Sequence, residues 1–157
     1  MHRCRTLLAL LLLTALVGTP AALAATKKGT SGDDVLRGTN RADKIYARAG
    51  NDSLFGRGGS DRLYGGSGDD LLAGDAGDDR LYPGPGADTV LGGSGNDRIW
   101  AANKNDQTDT IAAGGGDDVI FTRDGSLDRV SCGPGQDKVF ADSTDQIARD
   151  CELVRRG

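Results

Sequence analysis

Between residues 29 and 100 an aspartate returns at every ninth position: Asp34, Asp43, Asp52, Asp61, Asp70, Asp79, Asp88 and Asp97. Carboxylates repeated in one phase are oxygen donors, and oxygen donors by themselves suit a hard cation. Calcium accepts about six to eight oxygens in a flexible shell, whereas magnesium demands a smaller and stricter octahedron. Zinc wants nitrogen or sulfur, and the single histidine is His2. The same scarcity removes most catalytic constellations. No H-E-x-x-H can be written, and the G-G-S-G runs at 65–68 and 92–95 lack the final glycine of a G-x-S-x-G elbow. No enzymatic activity is expected. Of the 23 acidic residues only Glu152 is a glutamate. A merely solvated acidic surface would use both carboxylates, whereas a tight turn favours Asp, whose short side chain bonds the local backbone and tolerates unusual φ/ψ.

The elements that must position these carboxylates lie in the same register. In blocks of nine, residues 29–100 read GTSGDDVLR, GTNRADKIY, ARAGNDSLF, GRGGSDRLY, GGSGDDLLA, GDAGDDRLY, PGPGADTVL and GGSGNDRIW. The sixth place is always Asp, and the eighth is always aliphatic: Leu36, Ile45, Leu54, Leu63, Leu72, Leu81, Val90 and Ile99. The fourth is glycine at Gly32, Gly50, Gly59, Gly68, Gly77, Gly86 and Gly95, with Arg41 the exception. Glycine at the first, second and fourth places lets the backbone reach φ > 0 and curl its carbonyls toward an ion. The blocks resemble the G-G-x-G-x-D-x-U-x nonapeptide of RTX, or haemolysin-type, calcium-binding repeats. The likeness is strict over residues 29–100 and looser to about 147. It implies an all-β fold, a parallel β-roll or β-solenoid in which six residues turn around calcium and three form a short strand, two repeats completing a coil. It also implies the ligands: the in-phase aspartates and fourth-place glycines, with Asp118 and Asp137 beyond the regular array. Acids outside the motif, such as Asp69, Asp75 and Asp78, are expected to be solvated.

An eighteen-residue unit can be read independently of that resemblance. The seventh place is Lys44, Arg62, Arg80 and Arg98 in even blocks but Val35, Ser53, Leu71 and Thr89 in odd ones. The ninth is Tyr46, Tyr64, Tyr82 and Trp100 against Arg37, Phe55, Ala73 and Leu91. Alternation along a strand turns the eighth place inward and the seventh and ninth outward, so each set decorates one sheet. Coils stacked at a strand spacing of about 4.8 Å bring Asp52 beside Asp34 and Asp61 beside Asp43. A cation between coils would draw oxygens from both, which gives the pairs 34/52, 43/61, 52/70, 61/79, 70/88 and 79/97 as expected sites. The Lys/Arg and Tyr/Trp columns offer a second reading, a surface for extracellular polysaccharide. Outward aromatics that simply support strand pairing are the plainer account. Phe55, Leu71 and Leu91 form an apolar strip suited to self-association, and the acidic balance argues against nucleic acid.

Residues 1–24 read as a secretory signal, with basic Arg3 and Arg5, an apolar run from Leu7 to Val17 and a small-residue cleavage site at Ala22-Leu23-Ala24. The run is too short to span a bilayer, and no later stretch qualifies. Export without the signal leaves 17 Lys+Arg against 23 Asp+Glu, a net charge of -6. Residues 25–100 form the regular roll, and residues 101–157 an irregular continuation with a terminal cap. A three-residue insertion falls within Ala101 to Gln107, because the aliphatic step from Ile99 to Ile111 is twelve residues. Cys132 and Cys151 are the two cysteines of an exported chain and are expected to pair. A short helix from Asp145 to Arg155 is expected to cap the core with Ile147, Leu153 and Val154. The inward column is thin, so the protein, placed outside the cell, is expected to need calcium to fold.

Overall fold

The structure, a computed structural model, describes residues 24–102 and 107–157; the signal-peptide reading falls outside them except at Ala24. Two parallel sheets face each other and are wound by one chain. The first contains β1 (Thr26–Lys28), β3 (Lys44–Ala49), β5 (Arg62–Ser67), β7 (Arg80–Tyr82), β9 (Arg98–Trp100), β11 (Val119–Phe121), β13 (Lys138–Ala141) and β15 (Leu153–Arg156), in that order. The second contains β2 (Val35–Arg37), β4 (Ser53–Phe55), β6 (Leu71–Ala76), β8 (Thr89–Ser94), β10 (Thr110–Gly115), β12 (Arg129–Ser131) and β14 (Gln146–Ile147). Consecutive strands always lie in opposite sheets, which is the two-repeat coil of a parallel β-solenoid.

The eighth-place column explains why the strands are so short. Three residues suffice to point one aliphatic inward and two side chains outward. Ile45, Leu63, Leu81, Ile99, Ile120 and Val139 stack inside the first sheet, and Leu54, Leu72, Val90, Ile111 and Val130 inside the second, all buried. Pairing registers run in steps of eighteen, as in Ile45↔Leu63 and Leu54↔Leu72. Residues 103–106 of the expected insertion lie outside the described residues, and beyond it the register resumes, with Ile111 opposite Val90, 21 residues away.

The carboxyl end departs from the helix expected over 145–155. Gln146–Ile147 pairs with β12 and Leu153–Arg156 with β13, so the last coil is made of strands like the others. Ile147 beside Val130 and Val154 beside Val139 continue the inward columns, and a helix would forfeit both ladders. Ile147 and Val154 pack against the core as expected, but alternation turns Leu153 outward, where it is 42% exposed. Long cations close the two ends. Lys27 occupies an inward place opposite Ile45, and its ammonium reaches the Arg37 carbonyl, so an aliphatic stem covers the core while the charge escapes it. At the other end Arg123 donates to the carbonyls of Ala141 and Arg155, at 3.1 and 2.8 Å, and Arg156 to that of Asp142 at 2.6 Å.

The Cys132–Cys151 disulfide ties the turn after β12 to the start of β15 across 19 residues, with Cα atoms 5.2 Å apart. Cys132 is fully buried at a turn place that Ala113 and Ala141 fill elsewhere, so alanine fits there. Closure of a loop of this size is worth about 3 kcal/mol on the chain-entropy model. The double variant Cys132→Ala/Cys151→Ala should therefore lose up to about 3 kcal/mol in urea unfolding with calcium present, and a midpoint equal to that of the parent would show that the last coil needs no staple.

Candidate metal centre

Each strand is followed by a turn that ends on the sixth-place aspartate, immediately before the next strand. That location places the carboxylate at the edge of the core, where it is shielded on all sides by neighbouring coils. From Asp43 to Asp97 these residues are at most 3% exposed, as are Asp109, Asp118, Asp128 and Asp137; Asp34, in the first coil, is half-buried. A buried carboxylate must be satisfied, and one oxygen always is. Oδ1 accepts the backbone N–H of the sixth-place residue one coil earlier: Asp52 from Asp34 at 2.7 Å, Asp70 from Asp52 at 2.8 Å, Asp79 from Asp61 at 2.7 Å and Asp97 from Asp79 at 2.8 Å. The rungs begin at Ala25, whose N–H reaches Asp43 Oδ1, and end where Asp137 donates to Glu152 Oε2 at 2.9 Å. The lone glutamate thus serves as the final rung, where the separation shrinks to 15 residues and a longer side chain bridges the gap.

The second oxygen is the distinctive feature. Oδ2 of Asp52, Asp61, Asp70, Asp79, Asp88, Asp97, Asp109, Asp118, Asp128 and Asp137 is buried without a hydrogen-bond donor. In the turns that begin with Gly56, Gly65, Gly74 and Gly92, Oδ2 of Asp61, Asp70, Asp79 and Asp97 faces that first-place glycine. A methyl group on Gly56 would sit 2.3 Å from Asp61 Oδ2 and 2.6 Å from the Gly74 carbonyl oxygen, and one on Gly65 would sit 2.4 Å from both Asp70 Oδ2 and the Pro83 carbonyl oxygen. Carboxylate and carbonyl oxygens therefore converge on the same space from adjacent coils. Among the described residues no three carboxylates, thiols or imidazoles gather at one point, so an ion here would draw on stacked aspartates and turn carbonyls. That donor set is all oxygen and fits calcium.

The first coil is built differently. Asp34 Oδ2 accepts from the Thr30 N–H at 2.6 Å and hydroxyl at 3.0 Å, and Asp43 Oδ2 accepts from the same groups of Thr39 at 2.5 and 2.9 Å. The second-place residue decides between the two arrangements. Arg48, Arg57 and Asp75 stand there at φ of 93°, 78° and 72°, as do Gly66, Gly84 and Gly93 at φ above 100°. A β-branched threonine resists that conformation and turns its hydroxyl onto the carboxylate instead. Of the fourth-place glycines, Gly50, Gly59, Gly68, Gly77, Gly86 and Gly95 adopt positive φ, whereas Gly32 in the first coil does not. Arg41 points into solvent.

Acids outside the motif are exposed but not idle. Asp69 Oδ1 accepts the Ala87 N–H at 2.9 Å, Asp78 Oδ1 the Asn96 N–H at 2.8 Å, and Asp75 Oδ2 the Arg57 N–H at 3.2 Å. Asp33, Asn51 and Asp69 form one fifth-place ladder, and Asp78, Asn96 and Asp117 another. Their side chains accept from the coil that follows, opposite in sense to the sixth-place rungs. These residues are exposed, and beyond the solvation expected of them they bond neighbouring coils. The signal that could have found them was the recurrence of Asp or Asn directly before the motif aspartate.

The family described as the RTX calcium-binding nonapeptide repeat matches the chain in four copies, over residues 28–63, 55–90, 82–107 and 105–126. The matches span 99 of the 157 residues. The chain belongs to this family. Neither a curated protein nor a solved structure matches it. The RTX roll is a structural calcium-binding motif rather than a catalytic fold, and its repeats account for the turns described above.

Electrostatics follow from the burial. Desolvation is the largest cause that lifts Asp61 and Asp97 to about 7 and Asp70, Asp79 and Asp118 to about 6, from an ordinary 3.8. Neighbouring carboxylates push the same way, and the rung N–H opposes them. Asp43 differs. Burial pushes it up, but donation from Ala25 and from the Thr39 N–H and hydroxyl outweighs that and holds it below the usual range. Raised carboxylate values mean that the folded, ion-free chain binds more protons than the unfolded one, so stability falls as pH rises. Circular dichroism in chelator should accordingly show more β-structure at pH 5 than at pH 7.5; an increase in the opposite direction would contradict the burial of these groups. A second expectation concerns strain. Arg57→Gly relieves a left-handed arginine and should raise stability by about 1 kcal/mol in calcium, read as a higher unfolding midpoint.

Proposed function

We propose that this is a secreted calcium-binding protein whose turns take calcium between coils and whose fold forms as the ions bind. The observation that carries this reading is the set of buried Oδ2 oxygens that lack a donor. Buried anions without partners oppose folding, and a divalent cation shared by stacked carboxylates and carbonyls removes that opposition. The ligand aspartates would be Asp52, Asp70, Asp88, Asp109 and Asp128 along one edge, and Asp61, Asp79, Asp97, Asp118 and Asp137 along the other. Asp34 and Asp43, whose Oδ2 atoms are held by threonines, contribute least. Secretion rests on the signal-like residues 1–24, with Ala25 as the first residue after cleavage. No catalytic role belongs to this reading.

The alternative of a sugar surface built on open aromatic faces is weakened by geometry. Tyr46, Tyr64, Tyr82 and Trp100 stack on one another with centroids 4.6 to 4.7 Å apart and planes within 5°, so their faces are spent on each other. Of the apolar strip expected on the second sheet, Leu91 is 42% exposed while Phe55 and Leu71 are half-buried, which leaves little surface for self-association.

Calorimetric titration of the chain from Ala25 onward, alongside circular dichroism, tests the proposal. Several calcium ions per chain should bind, with β-structure appearing in step. An unchanged β-spectrum in chelator would overturn the coupling to folding, and absence of binding heat together with an unchanged spectrum would overturn calcium binding itself.

A further inference from the structure

Strands β3, β5, β7 and β9 place Lys44, Arg62, Arg80 and Arg98 in direct register on the outer face of the first sheet. Each lies one strand spacing, about 4.8 Å, from the next. Like charges directly opposite one another on neighbouring strands are destabilising, and the contacts among the described residues give none of the four a carboxylate partner. The fold does not require them. The same place on the second sheet is filled by Val35, Ser53, Leu71, Thr89 and Thr110, in the same registers. The row therefore carries an unfavourable interaction that its sister sheet avoids, on a chain whose net charge without the signal is -6.

The surroundings of the row narrow what can answer it. At its amino end a groove of about 470 Å³ is lined by Thr26, Lys28, Lys44, Tyr46 and Arg48, which widens the cationic track. Beside the row runs the column of stacked rings, presenting edges rather than faces. A single-stranded nucleic acid gains much of its affinity by stacking bases on open aromatic faces, and here those faces are closed. What remains is a row of cations in register beside a column of stacked rings. Its spacing is close to the rise per sugar of an extended glycan.

We propose that this face is a docking track for a linear anionic polysaccharide, one bearing carboxylate or sulfate groups along its length. Lys44, Arg62, Arg80 and Arg98 engage the anions, and the ring edges keep the track flat. The track exists only in the folded roll, so it rests on the calcium reading for its assembly but not for its chemistry.

The test uses the chain from Ala25 onward in calcium, with its circular dichroism recorded in every sample, so that failure to fold is distinguished from failure to bind. Immobilised heparin and hyaluronate should retain the folded protein, and neutral dextran should not. Retention should weaken steeply as salt is raised, as expected when several cations neutralise a polyanion. Arg62→Ser/Arg80→Thr, which installs the residue types of the second sheet, should weaken binding about ten-fold or more and flatten the salt dependence, while Arg129→Ser on the opposite face should not. If the double variant does not fold, Arg80→Thr alone and the salt titration of the parent carry the test. Folded protein that ignores both glycans, binds dextran equally, or keeps full affinity in the arginine variants would overturn the proposal. Tighter binding to oligo(dT) or to anionic phospholipid vesicles than to either glycan would overturn the assignment of the partner.

Discussion

Every coil of this molecule hangs on one hydrogen bond, the backbone N–H of a sixth-place residue donated to the carboxylate of the coil that follows. It fixes the side chain at that place, because aspartate reaches the neighbouring N–H from a tight turn with no slack. Glutamate is used only where the ladder closes on Glu152 and the chain has shortened its path. The same bond forces the carboxylate into the edge of the core, with one oxygen satisfied and the other buried without a donor. The chemistry of the protein begins from that second oxygen. It repels its neighbours, raises the affinity of the turn for protons, and aims at the space where carbonyl oxygens of the adjacent coil also point.

The turns are held from two directions. Sixth-place carboxylates accept from the coil before, and fifth-place Asp and Asn side chains accept from the coil after. Opposed ladders of this kind resist sliding of one coil over the next, which a column of aliphatic side chains cannot do because burial is non-directional. Within the turn, the second-place residue sets the local conformation. Thr30 and Thr39 close the first coil with their own hydroxyls, while glycine, and under strain Arg48, Arg57 and Asp75, open the later ones. In the first coil a second-place threonine satisfies the carboxylate, whereas the later turns with positive φ at that place leave Oδ2 without a donor.

The outer faces obey the same translation. A strand spacing near 4.8 Å is also a stacking distance for aromatic rings, so a ninth-place aromatic repeated every coil becomes a continuous stack without further instruction. The same translation sets cations side by side on the neighbouring column, where repetition is a liability rather than a gain. That contrast between the two columns is what gives the first sheet its functional interest, because the second sheet shows that neutral residues serve the fold equally well.

Much of this was legible in the sequence because a solenoid converts sequence period into contact. The nine-residue phase of Asp34 to Asp97 determined the strands, the inward column and the pairing of aspartates, and the alternation of Lys44 with Ser53 and Tyr46 with Phe55 determined the eighteen-residue coil. Periodicity fails where a coil has a neighbour on one side only. Lys27 at an inward place, the strands Gln146–Ile147 and Leu153–Arg156 in place of a helix, and Glu152 as the last rung all belong to the ends. Periodicity also says which groups are adjacent but not how their atoms are shared. Only the tertiary structure decided that Oδ1 is used by the backbone and Oδ2 is not, that Asp69 and Asp78 clamp neighbouring coils, and that the ring faces are closed. Those outcomes depend on the distance and direction between atoms eighteen or more residues apart, which are set when the coils stack.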